Sequence, residues 1–131
     1  MYFRTVLYTE GRIIASTGTL TPDRLQAIAQ STNNTLRITW ISYEGKVLFD
    51  SVHDADSMDN HLQRPEISQA ILHGEGSDIR DSSTIHAISY YEAIRLPDNS
   101  ILRVSRNGST VYKVILDAAP GLFLLFAAMS G

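Results

Sequence analysis

The chain has 131 residues, of which 44% are hydrophobic and 19% are charged, and these proportions are ordinary for one globular domain. Its net charge is -3, with 11 basic and 14 acidic residues scattered along the sequence. No basic stripe is available to neutralise a run of phosphates, so nucleic acid is not expected as a partner. The absence of cysteine excludes disulfides, thiolate metal sites and thiol nucleophiles.

Two helices are predicted at the start of the chain. Over residues 1–15 apolar side chains recur at a spacing of about 3.6, interrupted by charges, which indicates an amphipathic helix and not a signal peptide. In TPDRLQAIAQSTNN, Thr21 is placed to cap a second helix, Pro22 to take its first position, and Asn33 and Asn34 to end it.

The middle of the chain predicts a β-hairpin, a loop and a third helix. LRITWI alternates, SYEGK supplies a turn containing glycine, and VLFDS returns as the second strand. The polar, aperiodic VHDADSMDN indicates a loop. In RPEISQAILHGEG, Pro65 lies at a helix start and Gly74 just past its end.

Three further strands are predicted from residue 76 onwards. SDIRDSS, TIHAISYYEAIR and ILRVS are expected to pair as an antiparallel meander, and apolar residues at helical spacing predict a C-terminal helix from near Ser109. The elements together predict a single α+β domain built on a five-stranded antiparallel sheet.

The C-terminal segment after Asp117 carries no charge as far as Gly131. It is shorter than the stretch of about 20 apolar residues that spans a membrane. Two interpretations stay open, a buried C-terminal helix or the first part of a membrane span, and the second is favoured. It divides the chain into a folded domain over residues 1–118 and the start of a truncated transmembrane helix over residues 119–131.

Five strings carry a resemblance to a known family: ITWISYEGKVLFDS, NHLQRPEISQAILHGEG, IRDSST, YYEAIRL and LRVS. In this order and spacing, across residues 20–116, they resemble the extracytoplasmic sensor domain of membrane-bound two-component histidine kinases, in particular the phosphate-responsive sensor kinases of Gram-positive bacteria. The resemblance implies a PAS-like or PDC-like fold with flanking N- and C-terminal helices. It also implies a homodimer on the extracytoplasmic side of the cell membrane, which relays a small-molecule or protein signal to a cytoplasmic kinase outside this chain.

Catalysis within this chain is not expected. The sequence has many serines but no G-x-S-x-G elbow, and a carboxylate pair such as Asp50 and Glu66 is unspecific in a chain with 14 acids. No cofactor is predicted. Two alternatives to the sensor hypothesis remain, a soluble PAS-like or scaffold-type protein-interaction module and a small hydrolase with an unrecognised motif.

The loop DSVHDADSMDNH is rich in side chains that can bind a metal. It holds six residues with ligand side chains: Asp50, His53, Asp54, Asp56, Asp59 and His61. An EF-hand loop needs acids at alternate positions followed by glycine, and Met58 stands where the third ligand belongs. A solvated acidic loop is therefore predicted, without a metal.

Four residues around the start of the third helix are interpreted as a structural polar junction: Asp50, His61, Arg64 and Glu66. Pro65 places Arg64 at the N-cap and Glu66 in the first turn, where a negative charge suits the helix dipole. Arginine is a poor cap, so its guanidinium is expected to reach a carboxylate such as Asp50.

The ligand-binding candidates are Arg80, Ser82, Tyr91 and Arg103. Alternation in TIHAISYYEAIR places Tyr91 on one face with small residues, which leaves room for a ligand. The PAS-like resemblance implies that a ligand lies between a sheet face and the helix and loop that cover it. Two guanidinium groups there suit an anion. Alternatively, the tyrosines pack and the arginines pair with nearby acids.

Overall fold

The computed structural model describes residues 2–82 and 87–108. Its elements are α1 (Tyr2–Ser16), α2 (Pro22–Ser31), β1 (Arg37–Ile41), β2 (Val47–Asp50), a short 3-10 turn (Ala55–Ser57), α3 (Pro65–His73), β3 (Glu75–Ser82), β4 (Ala87–Arg95) and β5 (Ile101–Asn107). The predicted order of elements is confirmed as far as β5, although the 3-10 turn was not foreseen. The predicted C-terminal helix and the uncharged tail lie outside the described residues, as does the beginning of the strand predicted from Thr84.

The five strands form one open antiparallel sheet in the order β2-β1-β5-β4-β3. Strands β3, β4 and β5 make the predicted meander, and β1 joins the hairpin to β5, so β5 lies at the centre. Helix α1 contacts β4 and β5, α2 contacts β1, and α3 contacts β3, β4 and β5. This is an α+β fold of the PAS/PDC-like type, as predicted. Within the described part of the chain, no helix combines the length and apolar character needed to cross a membrane.

Local signals in the sequence fix both ends of α2. The hydroxyl of Thr21 accepts a hydrogen bond from the backbone N–H of Arg24 at 3.2 Å, and Pro22 occupies the first turn. After the helix, Asn33 and Asn34 adopt φ values of 56° and 58°, a left-handed conformation that asparagine tolerates well. The helix therefore begins and ends where the sequence predicts.

The larger hydrophobic core lies between the sheet and the first two helices. Its buried members are Leu7, Ile14, Leu25, Ala29, Leu36, Ile38, Leu96, Leu102 and Val104. Residues Ile38, Leu102 and Val104 come from alternate positions of β1 and β5, so one face of the central strands is apolar. Helix α3 packs on the other face of those strands.

Helix α3 packs closely on the second face of the sheet. Ile67 and Ala70 are fully buried there against Ile41, Ala93 and Ile101. The helix ends at Gly74 with φ of 90°, the left-handed cap that the sequence predicts.

The backbone of β3 runs directly against the first turns of α3. A Cβ atom added to Gly76 would lie 2.2 Å from the carbonyl oxygen of Glu66 and 2.6 Å from Cβ of Gln69. Only glycine fits this approach. As a result, the first turn of α3 is held over the polar positions of the sheet.

Candidate functional site

A buried carboxylate forms the centre of the polar contact between α3 and the sheet. Glu66, in the first turn of α3, is fully buried. Its Oε1 and Oε2 atoms accept hydrogen bonds from Nη1 and Nη2 of Arg80 at 2.6 and 2.8 Å, and Oε2 also accepts one from Nη1 of Arg103 at 3.1 Å. Three charge-assisted hydrogen bonds therefore converge on one side chain.

An aromatic ring lies between the two arginines. Tyr91 of β4 stands between Arg80 of β3 and Arg103 of β5 in the strand order. Its ring centroid is 3.8 Å from Cζ of Arg80 and 5.0 Å from Cζ of Arg103. Both distances are in the range of a cation–π interaction, so the ring helps to position both cations.

The polar contacts continue from Arg103 across β1 to the edge strand β2. Nη2 of Arg103 donates to Oγ1 of Thr39 at 3.2 Å, and that hydroxyl donates to Oδ1 of Asp50 at 2.7 Å. Nε of Arg37 donates to both carboxylate oxygens of Asp50, at 3.1 and 3.2 Å. A connected chain of polar side chains thus crosses the sheet from β3 to β2.

Glu66 and Asp50, the two acids of this connected set of polar side chains, stay ionised because their neighbours favour the charged form. For Glu66, burial alone raises the pKa, but the hydrogen bonds from Arg80 and the charges of Arg103 and Arg80 lower it below its ordinary value of 4.5. For Asp50, burial again opposes the charge, and the Thr39 hydroxyl, backbone N–H groups and Arg37 together lower the pKa. Each buried carboxylate of the site is therefore balanced by at least one arginine.

His61 is a buried neighbour of this site, and the charges of the site affect its pKa. Its Nδ1 atom donates to the carbonyl oxygen of Asp59 at 2.7 Å, and the residue is 4% exposed. Burial lowers its pKa below 6.5, and the positive charges of Arg103 and Arg64 lower it further. His61 is accordingly neutral at pH 7.

One donor of the site has no acceptor. Nε of Arg103 is buried and has no hydrogen-bond partner within the described part of the chain, although the side chain is only 2% exposed. Burial also lowers the pKa of Arg103 below that of a free guanidinium, but the Arg103 side chain stays protonated at neutral pH. A buried cation with an unused donor has the capacity for one more acceptor.

The structure places three of the four predicted ligand-binding residues together. Arg80, Tyr91 and Arg103 share the sheet face under α3, whereas Ser82 ends β3 and its side chain is outside the description. The acid that binds both arginines is Glu66, which the residue spacing predicts in the separate polar junction.

The residues of the predicted polar junction make no side-chain hydrogen bonds with one another in the described part of the chain, and Glu66 and Asp50 lie near opposite ends of the connected chain of polar side chains. Glu66 belongs to the arginine cluster, while Asp50 is bound by Arg37, Thr39 and the backbone N–H groups that follow it. Arg64 occupies the N-cap of α3 as predicted and makes no side-chain capping hydrogen bond, but the guanidinium bound to Asp50 is that of Arg37 and not, as expected, that of Arg64.

Two residues of the polar chain, Arg37 and Thr39, were not selected from the sequence. Thr39 lies directly opposite Asp50 in the hairpin. Hairpin register is the signal that could have found this pair, because directly opposite side chains interact.

The acidic loop between β2 and α3 has a structural use. Asp54 caps the 3-10 turn by accepting the N–H of Asp56 at 3.2 Å. Among residues 2–82 and 87–108, no three histidine or acidic side chains are grouped closely enough to hold a metal ion.

A cleft of about 410 Å³ lies beside β3, with Leu7, Ile79, Tyr90 and Glu92 among its lining residues. Register places Ile79 opposite Tyr90, on the sheet face that α1 covers. The lining also includes Asp78 and Tyr91, which contact Arg80, so the cleft borders the arginine cluster at this edge of the sheet. The cluster, with its converging charged groups, is the better-defined candidate site.

Comparison with known proteins finds similar folds among solved structures and no similar sequence. No protein-family model matches the sequence, and no curated protein sequence matches it. The Bacillus subtilis YkuI protein, which has an EAL domain and was solved in complex with its substrate c-di-GMP and calcium, is similar over 85% of this chain, with a TM-score of 0.56 and 15% identity. The extracellular domain of a protein described as a histidine kinase, rpHK1S-Z16, is similar over 66%, with a TM-score of 0.46 and 13% identity.

This chain spans 32% of the YkuI structure and 39% of the rpHK1S-Z16 structure. At 15% identity the first similarity shows a shared fold alone. The second superposition is looser and carries no functional conclusion.

Proposed function

We propose that this chain is a non-catalytic sensory domain of a two-component histidine kinase, on the extracytoplasmic side of the cell membrane, and that its response is set where α3 meets the sheet. The PAS/PDC-like fold and the family resemblance of the strings around the hairpin, α3 and the meander support this class. The observation that carries the proposal is the fully buried Glu66 carboxylate, held by Arg80 and Arg103.

A buried charge cluster is an inefficient way to stabilise a domain. Desolvation opposes the Coulomb attraction, and well-packed apolar side chains of similar volume are often as stable. The Glu66 contacts are nevertheless specific, because they exist only while α3 keeps its position over β3 and β5. Such a contact is suited to distinguishing two positions of a helix.

Strand β5 offers a direct route from this contact to the flanking helix α1. Arg103 reaches Glu66 on one face of β5, and Arg106 pairs with Glu10 of α1 on the other face. A signal that binds one arrangement of α3 better than another would shift the population of that arrangement. The proposed output is a change in α1 relative to the sheet, relayed to the kinase through the flanking helices and the membrane span proposed at 119–131.

The relay is tested with a chimera in which this chain replaces the extracytoplasmic domain of a membrane-bound histidine kinase whose output is known. Glu66→Gln removes the charge at the site with little change in shape and is expected to alter kinase output without added signal. Glu44→Gln, at an exposed position in the hairpin turn, is the matched control. Equal output from the wild type and both variants would overturn the proposed switch.

The signal is sought by thermal shift of the isolated domain with phosphate, carboxylates, amino acids and divalent cations. Binding to the native state raises the midpoint, and Arg103→Met should abolish the shift of a genuine ligand of this site. A phosphate-specific shift would support the finer assignment to the phosphate-responsive type. If no compound shifts the midpoint of the wild type or of a variant that lacks the Glu66 side chain, a protein signal becomes the proposal.

Exposed apolar side chains favour a second candidate, a PAS-like interaction module that acts through protein contacts. Ile79 of β3 and Ile88 of β4 are 53% and 41% exposed, although they lie on the sheet face that α1 covers nearby. A homodimer would account for this surface as well. Light scattering of the wild type and of Ile79→Ser/Ile88→Ser separates these cases: a dimer lost in the variant supports self-association, and a monomeric wild type excludes it.

A further inference from the structure

The groups around Glu66 have the composition of a carboxylate-binding site that the chain fills with its own side chain. We propose that Arg80, Arg103 and Tyr91 form a receptor for a small monocarboxylate, that Glu66 is its intramolecular ligand, and that free acetate binds there once the Glu66 side chain is removed. The inference deepens the proposed function, since it names the ligand class of the same site.

The geometry matches a planar carboxylate. Nη1 and Nη2 of Arg80 each donate to a different oxygen of Glu66, at 2.6 and 2.8 Å, which is the parallel fork of bidentate recognition. Nη1 of Arg103 adds a donor on one of those oxygens at 3.1 Å. The Tyr91 ring, stacked 3.8 Å from Cζ of Arg80, fixes the plane of the fork. A tetrahedral phosphate would bring two more oxygens into the space that the fully buried Glu66 carboxylate fills.

An unused donor shows that Glu66 does not exhaust the site. Nε of Arg103 is buried without an acceptor in the described part of the chain. Glu66 is tethered to α3 and reaches only Nη1 of this guanidinium. The Nε–H group points to the same side of the guanidinium as Nη2, which donates to Thr39, so an acceptor for it would lie on the Thr39 side of Arg103.

Access to the site is from the β3 edge, and its charge selects a monoanion. Arg80 is 31% exposed in its side chain, whereas Arg103 is 2% exposed. Asp78, 2.8 Å from Nη1 of Arg80, lies on this open side with 27% of its side chain exposed. A ligand with a second negative charge in the opening would be repelled by Asp78.

The tether explains why the wild-type site stays self-occupied. An intramolecular group competes at a high effective concentration, of the order of millimolar or above, without the entropy loss of capturing a free molecule. Acetate at moderate concentration is therefore expected to leave the wild type unchanged. Truncating Glu66 removes the competitor and leaves two cations facing an empty volume.

The test is the melting temperature of Glu66→Ala during titration with sodium acetate, at constant ionic strength maintained with sodium chloride. Acetate at about ten times its Kd should raise the midpoint by about 5 °C. The wild type and Glu66→Ala/Arg103→Met should show no such rise, and phosphate should act more weakly than acetate. Where Glu66→Ala is unfolded without additive, recovery of its circular dichroism spectrum with acetate replaces the midpoint.

Absence of any acetate effect on Glu66→Ala, in either readout, overturns the inference, as does an equal effect of chloride or an equal effect on the double variant. The result is separable from the chimera experiment. If acetate fails while Glu66→Gln changes kinase output, the sensory switch stands and the ligand class is wrong. If acetate binds while the chimera is silent, the carboxylate site stands and the relay is wrong.

Discussion

Glu66 and Arg103 form an ion pair that is almost completely withdrawn from water: Nη1 of Arg103 lies 3.1 Å from Oε2 of Glu66, and their side chains are 2% and 0% exposed. Glu66 belongs to α3 and Arg103 to β5, so the pair joins a peripheral helix to the central strand. A buried pair contributes little beyond what apolar packing would, but removing one partner leaves an uncompensated charge. This asymmetry governs the mutational behaviour of the site.

Glu66→Gln is predicted to reduce the free energy of unfolding by about 3–5 kcal/mol, because it leaves Arg80 and Arg103 facing a neutral group. Urea unfolding followed by circular dichroism measures the loss. The control Glu44→Gln, at an exposed position, should change the free energy by less than about 0.5 kcal/mol. A loss below about 1 kcal/mol for Glu66→Gln would mean that water screens the pair.

The effects of Glu66→Gln and Arg103→Met are predicted to be non-additive. Once Glu66 is neutral, removing the Arg103 cation also removes an unpaired buried charge, so the double variant should be less destabilised than the sum of the single variants. The coupling is expected at about 1–3 kcal/mol, measured by a double-mutant cycle in urea. Additivity within about 0.5 kcal/mol would show that the two side chains do not interact appreciably.

Acid is predicted to destabilise the domain through Glu66 and Asp50. Both have a lower pKa in the folded state than their ordinary values of 4.5 and 3.8, so the unfolded chain takes up protons first as the pH falls. The stability that they contribute is complete above the unfolded pKa and is lost as the pH falls through the folded one. The urea midpoint of the wild type should fall below pH 4.5 more steeply than that of Glu66→Gln. The same pH dependence of the urea midpoint in the wild type and in Glu66→Gln would contradict a contribution of Glu66 to acid destabilisation.

His61 is predicted to add a second pH dependence nearer neutrality. Its pKa is below 6.5 in the folded state, chiefly because it is buried, so the unfolded chain binds a proton that the folded chain does not. Stability should therefore decrease as the pH falls from about 7 to about 5.5. His61→Asn, which keeps a donor for the Asp59 carbonyl, should flatten the urea midpoint in this window. His53→Asn, at an exposed loop position, serves as the control and should retain the slope.

Gly76→Ala is predicted to push β3 and α3 apart. The new Cβ would lie 2.2 Å from the carbonyl oxygen of Glu66, a backbone atom that cannot rotate away. A loss of about 1–3 kcal/mol or more is expected in urea unfolding. Gly74→Asn is the comparison variant: nothing lies within 4 Å of its added Cβ, so it carries only the backbone strain of the φ of 90°, which asparagine bears better than most residues. Similar losses in both variants would contradict the close approach at Gly76.

Features with a local cause were predictable from the sequence. Thr21 and Pro22 start α2, and Pro65 and Gly74 bound α3, because capping and ring geometry act within a few residues. Alternation likewise placed Tyr91 on a definite face of its strand. These signals required no knowledge of the sheet order.

The partner of Glu66 was not predictable in this way. Positions 66 and 103 meet because β5 lies between β1 and β4 and because α3 covers one particular face, and both facts are properties of the whole sheet. The choice of Arg37 as the partner of Asp50 depends similarly on the β1–β2 register. Long-range pairing of charges is decided by tertiary packing, which residue spacing alone does not encode.

Native-state hydrogen exchange of the wild type and Glu66→Gln tests most directly whether Glu66 holds α3 on the sheet. We predict that the amides of β1 and β5 lose only the protection that corresponds to the fall in global stability, about 3–5 kcal/mol, and that the amides of α3 lose more, because the helix also opens locally. Unchanged protection in α3, or an equal loss of protection in helix and central strands, would contradict it.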